Sequence, residues 1–341
     1  MNSIIEFERN VNLEIITGTG EILQDFSSTG KERPWIVHKK ENLRLVEIYK
    51  IAKAKNINLI SDSRLFDLEH CGDTLTFLKD AEGKKKLKTA NFCRVRTCPM
   101  CQWRRSLKMF SQVRKITDKI LQDDKSIKFI FGTFTVKNTD AENLENCIDN
   151  LNKKFRYLVS NSLTFAPAKK LKRNLLGYLK AVEVTYNIKD KTYHPHLHVI
   201  FAVKSTFFGS SKYYMSKKEW IELWQKALNV DYKPQIDIRV IKSGTAKAVA
   251  EVAKYPVKTA PILKLADDEA VEVLKTLTLD LHKKRFVSLG GIFKTVKQEL
   301  KLQDIETDKD LVNVDVEQKE RFNAITAVLF KYNFRFGAYI C

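Results

Sequence analysis

The sequence predicts an α+β fold, an antiparallel sheet with helices in the ferredoxin-like or RNA-recognition-like order, preceded by a small module held by cysteines. Three observations predict it. Between about residues 127 and 256 the apolar periodicity alternates between two and 3.6 residues in the order βαββαβα. Four of the six cysteines fall between residues 71 and 101. A hydrophobic content of 44% in 341 residues is enough for a packed core of two or three domains.

Along the chain, residues 1 to 65 carry charge and a short helix around "ENLRLVEIYKIAKAK". From Leu75 two strand-like runs flank an Asp-Ala-Glu-Gly-Lys turn, which reads as a β-hairpin with a basic second strand. In "WRRSLKMFSQVRKITDKILQ" the residues Leu107, Phe110, Val113, Ile116 and Ile120 recur at helical steps, leaving the other face basic. The main sheet region follows as strand "IKFIFGTFTV", helix "AENLENCIDNLNKKFRYLVS", strands "GYLKAVEVTYN" and "HLHVIFAV", helix "SKKEWIELWQKALN", strand "QIDIRVIK" and helix "GTAKAVAEVAKY". Beyond Pro261 an acidic helix, a Gly-Gly turn and an aromatic tail form an extension expected to pack on that sheet. The expected division is therefore 1–65, a segment of unclear role; 66–125, a metal-binding hairpin and basic helix; 126–260, the main sheet domain; and 261–341, the extension.

Sixty Lys and Arg against 41 Asp and Glu leave a formal charge of +19, which favours a polyanionic partner, with nucleic acid the default and a merely basic soluble surface the plainer alternative. No apolar run approaches the ~18 residues of a membrane span, and "MNSIIEFERN" lacks a signal peptide's order, so a cytoplasmic protein without membrane contact is expected.

Cys98 and Cys101 make a C-x₂-C knuckle, with Cys93 and Cys71 upstream around the hairpin. That spacing matches a structural four-thiolate zinc site, with His70 as an alternative to Cys71. Cys147 and Cys341 read as ordinary thiols. The run Lys84, Lys85, Lys86 and Lys88 would suit DNA phosphates, or simply a solvated face.

"HPHLHV" at 194–199 opens a strand with three of the six histidines. Residues two apart on a strand point the same way, ~6–7 Å apart, so His196 and His198 can converge on one ion. A lone strand histidine is usually structural, but here Glu183, a carboxylate amid apolar neighbours on the adjacent strand, supplies a third ligand. His194, held extended by Pro195, is the alternative third ligand or a supporting group. Two imidazoles and a carboxylate suit Mg²⁺ or Mn²⁺ when phosphate oxygens complete the shell, although imidazole alone would also accept Zn²⁺ or Ni²⁺.

In "TAKAVAEVAKYPVK" the helix should end at Tyr255, before Pro256, with Glu251 one turn earlier on the same stripe and Lys247 and Lys258 nearby. A phenol of pKa ~10 is ~0.1% ionised at neutral pH unless cations assist it. Such pairs are common on solvated faces, and this one gains meaning from the histidines.

With "HPHLHV" and "EVAKYPVK" placed, the sequence resembles the HUH endonucleases, specifically the single-tyrosine initiators of plasmid rolling-circle replication. "FGTFTVKN" at 131–138 looks like their first motif, and "CRVRTCPMCQWRR" is similar to a segment found upstream in that family. The resemblance spans roughly residues 70 to 300, including "KRFVSLGGIFK". It implies origin-specific nicking and closing of DNA, with His196 and His198 holding the ion and Tyr255 forming a 5′-phosphotyrosyl link. Glu251 would activate water at termination. Plasmid origin DNA, as duplex and as a single-stranded nick site, is the implied partner. A host helicase is implied as well, since the chain has no phosphate-loop motif. Alternatives sharing the chemistry are a mobilisation relaxase or a transposase; a non-catalytic origin-binding protein would not need Tyr255. The paired Tyr213 and Tyr214, between a strand and a helix, are a second candidate nucleophile.

Overall fold

In the computed structural model, residues 14–27, 29–160, 162–241, 249, 259–307, 309–314 and 322–341 are described. The long alternating run after Asn174 forms β5 (Leu175–Asn187), which returns as β6 (Thr192–Val203). The turn between them is set by Asn187, whose side chain accepts from the Lys189 backbone N–H at 3.0 Å and donates to Asp190 at 2.8 Å. With β4 (Lys128–Thr135), β7 (Ile236–Ile241) and β8 (Val287–Gly291) they build a five-stranded sheet of order β7-β4-β6-β5-β8, every pairing antiparallel.

One face of this sheet carries Phe134, Leu197, Val199 and Phe201 and is covered by α4 (Leu144–Val159) and α6 (Lys217–Leu228). Phe134 meets Trp220 and Trp224 edge-on at 6.0 and 5.5 Å, and Phe155 of α4 stacks 6.3 Å from Phe201. Helix α6 starts at a capping box between Ser216 and Glu219 and stops at Asn229, whose positive φ of 59° ends the helix. A short helix, α5 (Ala166–Asn174), leads into β5.

The opposite face carries the histidines at one end and Phe129 at the other. There α8 (Ile292–Glu299) packs with Phe293 6.0 Å from Phe129. Gly291, at a positive φ of 54°, lets β8 turn directly into α8, and a Cβ on the facing Gly177 would sit only 2.5 Å from the Gly290 carbonyl. This face is therefore covered by helix at one end as well.

The cysteine hairpin is β2 (Thr74–Lys79) and β3 (Lys85–Ala90), preceded by α1 (Trp35–Ala54) and α2 (Asp62–Glu69) and followed by α3 (Pro99–Asp123). The last strands, β9 (Thr326–Asn333) and β10 (Ala338–Ile340), belong to this sheet, with Leu75 opposite Phe330. A two-residue strand, β1 (Ile15–Ile16), pairs with β9 in parallel. The C-terminal extension therefore divides. α7 (Asp267–Asp280), β8 and α8 lie with the main sheet's elements and α1, whereas residues 326–340 return to the hairpin. The expectation of one extension on one sheet is corrected because β2 has an unpaired edge that the apolar run of β9 completes, burying Phe330 against Phe77. The helix predicted over 244–255 lies outside the described residues, Val249 apart, which is buried.

Lys180 of β5 points into the helix-covered face, hydrogen-bonded to Asn152 and 5.4 Å from the Phe155 ring. Burial, and then the charge of Arg156, push its ammonium down to about 8. The unfolded chain thus holds more protons between pH 8 and 10.5, so stability from this group rises with pH across that window. Lys180→Met should raise unfolding free energy at pH 7 by roughly 1–3 kcal/mol, with the gain shrinking to nothing above about pH 10.5 in urea titrations.

Candidate metal centres

The register of β5 against β6 sets Glu183 directly opposite His196, with His198 two pairs further along opposite Ala181. Glu183 is 2% exposed, and its Oε2 lies 3.2 Å from His196 Nε2 and 2.7 Å from His198 Nε2. The other ring nitrogens are held from behind. His196 Nδ1 faces the His194 carbonyl at 3.2 Å, and His198 Nδ1 faces the Thr133 hydroxyl at 3.2 Å, while the Phe131 ring stacks on His198 at 5.6 Å.

These contacts test whether the donor set fits a cation. A carbonyl only accepts, so a neutral His196 carries its proton on Nδ1 and turns a lone pair from Nε2 toward the Glu183 carboxylate. Two acceptors then face each other at 3.2 Å in a buried place, and a cation between them removes the conflict. The ligand atoms of Glu183, His196 and His198 all lie within 4.8 Å of one another, so the three could hold a metal. His194 stands apart, its Nδ1 2.7 Å from the Asn138 side-chain oxygen. Burial and then the neighbouring His196 lower its pKa.

The second cluster joins Cys71, Cys93, Cys98 and Cys101, all buried. Sulfur separations of 3.6 to 3.7 Å for the 71–98, 71–101 and 93–101 pairs approach the ~3.8 Å edge of a tetrahedron with ~2.3 Å metal–sulfur bonds. The sulfurs also accept from the N–H groups of Cys93, Arg94 and Val95 and from the Asn42 amide at 3.2–3.5 Å, contacts that favour thiolates. Burial pushes the Cys101 thiol up, but hydrogen bonds from the other three cysteines and the charge of Arg105 outweigh it and hold it well below the ordinary range. His70 turns instead to Asp73 at 2.8 Å, so Cys71 is the fourth sulfur.

The replication-protein family profile matches residues 84–340. A protein named Protein rep from Lactiplantibacillus plantarum is 39% identical over 324 residues, covering 92% of this chain and 97% of its own length. A Protein rep from Streptococcus pneumoniae serotype 2 is 38% identical over 296 residues, covering 86% and 87%. A Replication protein from Staphylococcus aureus is 33% identical over 215 residues, covering 61% and 88%. No solved structure matches. The chain belongs to the replication-protein family.

In this replication protein Tyr255 and Glu251, with Lys247 and Lys258, lie outside the described residues. Tyr213 and Tyr214 sit in the loop after β6, tied by Lys170 of α5 to the Ser211 and Tyr214 carbonyls at 3.0 Å. That loop follows Val203, five residues or ~16 Å along β6 from His198, so the pair is remote from the triad. Thr133 and Phe131, which support His198, were not singled out from sequence; the period-two alternation of "FGTFTV" against the histidine strand is the signal that would have found them.

The basic face expected on α3 is largely engaged by the chain's own backbone. Arg104 is 1% exposed and donates to the Leu311 and Val312 carbonyls at 2.9 and 2.8 Å, and Lys108 donates to the Asp310 carbonyl at 2.6 Å. Arg105 reaches the Arg94 carbonyl at 2.8 Å. These cations bind backbone that crosses the helix because such carbonyls, once buried, need donors. In the hairpin, Lys85 pairs with Glu21 at 3.1 Å while Lys84 and Lys88 are exposed. Among the described residues no helix is long and apolar enough to cross a membrane.

Glu183→Gln should weaken Mn²⁺ binding by ~10–100-fold in calorimetric titration, since it removes the only anionic donor of the triad. Cys101→Ser should lower the metal bound by the purified protein by about one equivalent in elemental analysis and reduce its melting temperature.

Proposed function

We propose that this replication protein initiates rolling-circle replication of a plasmid by nicking and closing one strand of its origin. The observation that carries the reading is the convergence of Glu183, His196 and His198 on adjacent strands of a chain in the replication-protein family. The strand order β7-β4-β6-β5 supports the ferredoxin-like assignment of the nuclease unit, residues 126–260.

His196, His198 and Glu183 would hold Mg²⁺ or Mn²⁺, which when bound polarises the scissile phosphate and offsets its developing charge. Tyr255 is the proposed nucleophile: its phenol oxygen attacks phosphorus, the 3′ oxygen leaves as a hydroxyl, and the 5′ end stays on the tyrosine. Glu251 is the proposed general base that activates water for the terminating cleavage. His194, Asn138 and Thr133 orient the imidazoles. Zinc at the four cysteines would be structural, pinning the hairpin to the start of α3. Origin DNA is the proposed partner, with unwinding left to a host helicase, and the site of action is the cytoplasm.

The test is incubation with supercoiled plasmids bearing candidate origins and Mn²⁺, followed by denaturing gels and mass spectrometry of adducts. A 5′-phosphotyrosyl link at Tyr255 is expected. Tyr255→Phe should abolish the adduct, and His196→Ala should slow cleavage at least ~100-fold while duplex-origin binding persists. Tight binding with no nick at any origin would overturn the reading in favour of a purely binding protein.

A further inference from the structure

Beside the triad, the edge of the main sheet opens into a cleft of about 470 Å³ between β4, β7 and α6. Its position follows from the register. Thr133 lines the cleft, pairs with Asp237 of β7 on one side and with His198 of β6 on the other, and its hydroxyl touches the His198 ring at 3.2 Å. The cleft and the proposed metal ligands thus share Thr133 as a neighbour.

Its lining has two characters. Ile221, Pro234 and Ile236 give it apolar wall, whereas Lys217 and Lys233 stand exposed at its rim. Among the described residues neither lysine takes part in an ion pair. The one carboxylate, Asp237, is paired with Arg239 at 2.6 Å, so the unbalanced charge of the cleft is positive. Thr135, also in the lining, has its hydroxyl engaged with the Gln235 carbonyl at 2.9 Å, which fixes the approach of β4 to the segment before β7.

We infer that this cleft is a nucleotide subsite, which takes one unpaired nucleotide of the cleaved DNA strand next to the scissile phosphate. The inference rests on the proposed nicking reaction and specifies how its substrate is held. Cavities of ~300–1,000 Å³ accept small ligands, and a base reaches such a cavity only after leaving the stack. An apolar wall receives the flat face of any base, and unpaired lysines receive the phosphates on either side. Holding the flanking nucleotide anchors the strand so that the next phosphate falls over the triad, which is the positioning that in-line attack requires.

The experiment uses the full chain, Mn²⁺ and a labelled single-stranded oligonucleotide spanning the mapped nick site. Two variants are compared with the parent protein, Lys217→Glu/Lys233→Glu and the cleft-filling Ile221→Trp, with melting temperatures as the folding control. Both should raise KM for the oligonucleotide about tenfold or more, with the loss falling on KM rather than kcat. An abasic substitution scanned along the oligonucleotide should slow the parent protein at one position within about three nucleotides of the nick, and Ile221→Trp should show no further loss there. Parent-like KM values with an unchanged abasic profile in both folded variants would overturn the subsite, while a Tyr255 adduct in the parent protein keeps the nicking reaction. No adduct in the parent protein overturns both.

Discussion

Glu183 stands across from His196 because β5 and β6 pair antiparallel around the Asn187 turn, and everything at the triad depends on that register. Side chains alternate faces at every residue, so a slip of one position would carry Glu183 to the face covered by α4 and α6 and bring Val182 or Val184 to the histidines. Two features hold it. The turn side chains tie Asn187 to Lys189 and Asp190, and Leu197, Val199 and Phe201 are fully buried on the opposite face. A buried carboxylate is costly without partners, and the partners here are two imidazoles whose far nitrogens are themselves held. The fold thus stabilises a local arrangement that suits a cation better than it suits itself.

The net charge of +19 is distributed less simply than composition suggests. Arg104, Arg105 and Lys108 are buried, and Arg96 donates to the Leu281 and Lys284 carbonyls at 2.9 Å. These cations serve as long-reach donors that hold the segments around residues 281–284 and 310–312 onto α3 and the loop before it. An electrostatic footprint for DNA must be sought among exposed lysines such as Lys84, Lys88, Lys217 and Lys233. Charge counting alone marks a partner class; burial decides which charges can meet it.

What the sequence disclosed is what local periodicity encodes. The histidines at spacing two, the C-x₂-C knuckle, the hairpin around Glu82-Gly83 and the amphipathic α3, α4 and α6 each carry their signal within a few residues. What stayed hidden requires contact between distant segments. The pairing of Phe330 with Leu75 joins segments far apart in the chain, and nothing in "TAVLFKYN" names its partner strand. The burial of Arg104 depends on the carbonyls of Leu311 and Val312, which no helical pattern foretells. At the site, Glu183 was legible as an odd carboxylate in an apolar strand, whereas Thr133 acts only through its register with His198. The cleft residues Ile221 and Lys233 come together solely through the packing of α6 on the sheet edge.

The two clusters are built on opposite plans, and the fold links them. Around the four sulfurs every contact comes from the chain itself, from backbone N–H groups and the Asn42 amide, and the cysteines are 0–4% exposed, so no outside ligand has a way in. At the triad, among the described residues, three donors converge, and His196 and His198 are each 8% exposed at the end of the sheet. Four sulfurs fill a tetrahedral shell, whereas three donors leave positions for other ligands. Cys98 caps the first turn of α3, α3 packs on α8, and α8 sets Phe293 against Phe129 under the same sheet face that carries the histidines. Loosening the sulfurs therefore frees the start of a helix whose far half backs the covered part of that face, so the closed centre contributes to the rigidity on which the open one relies.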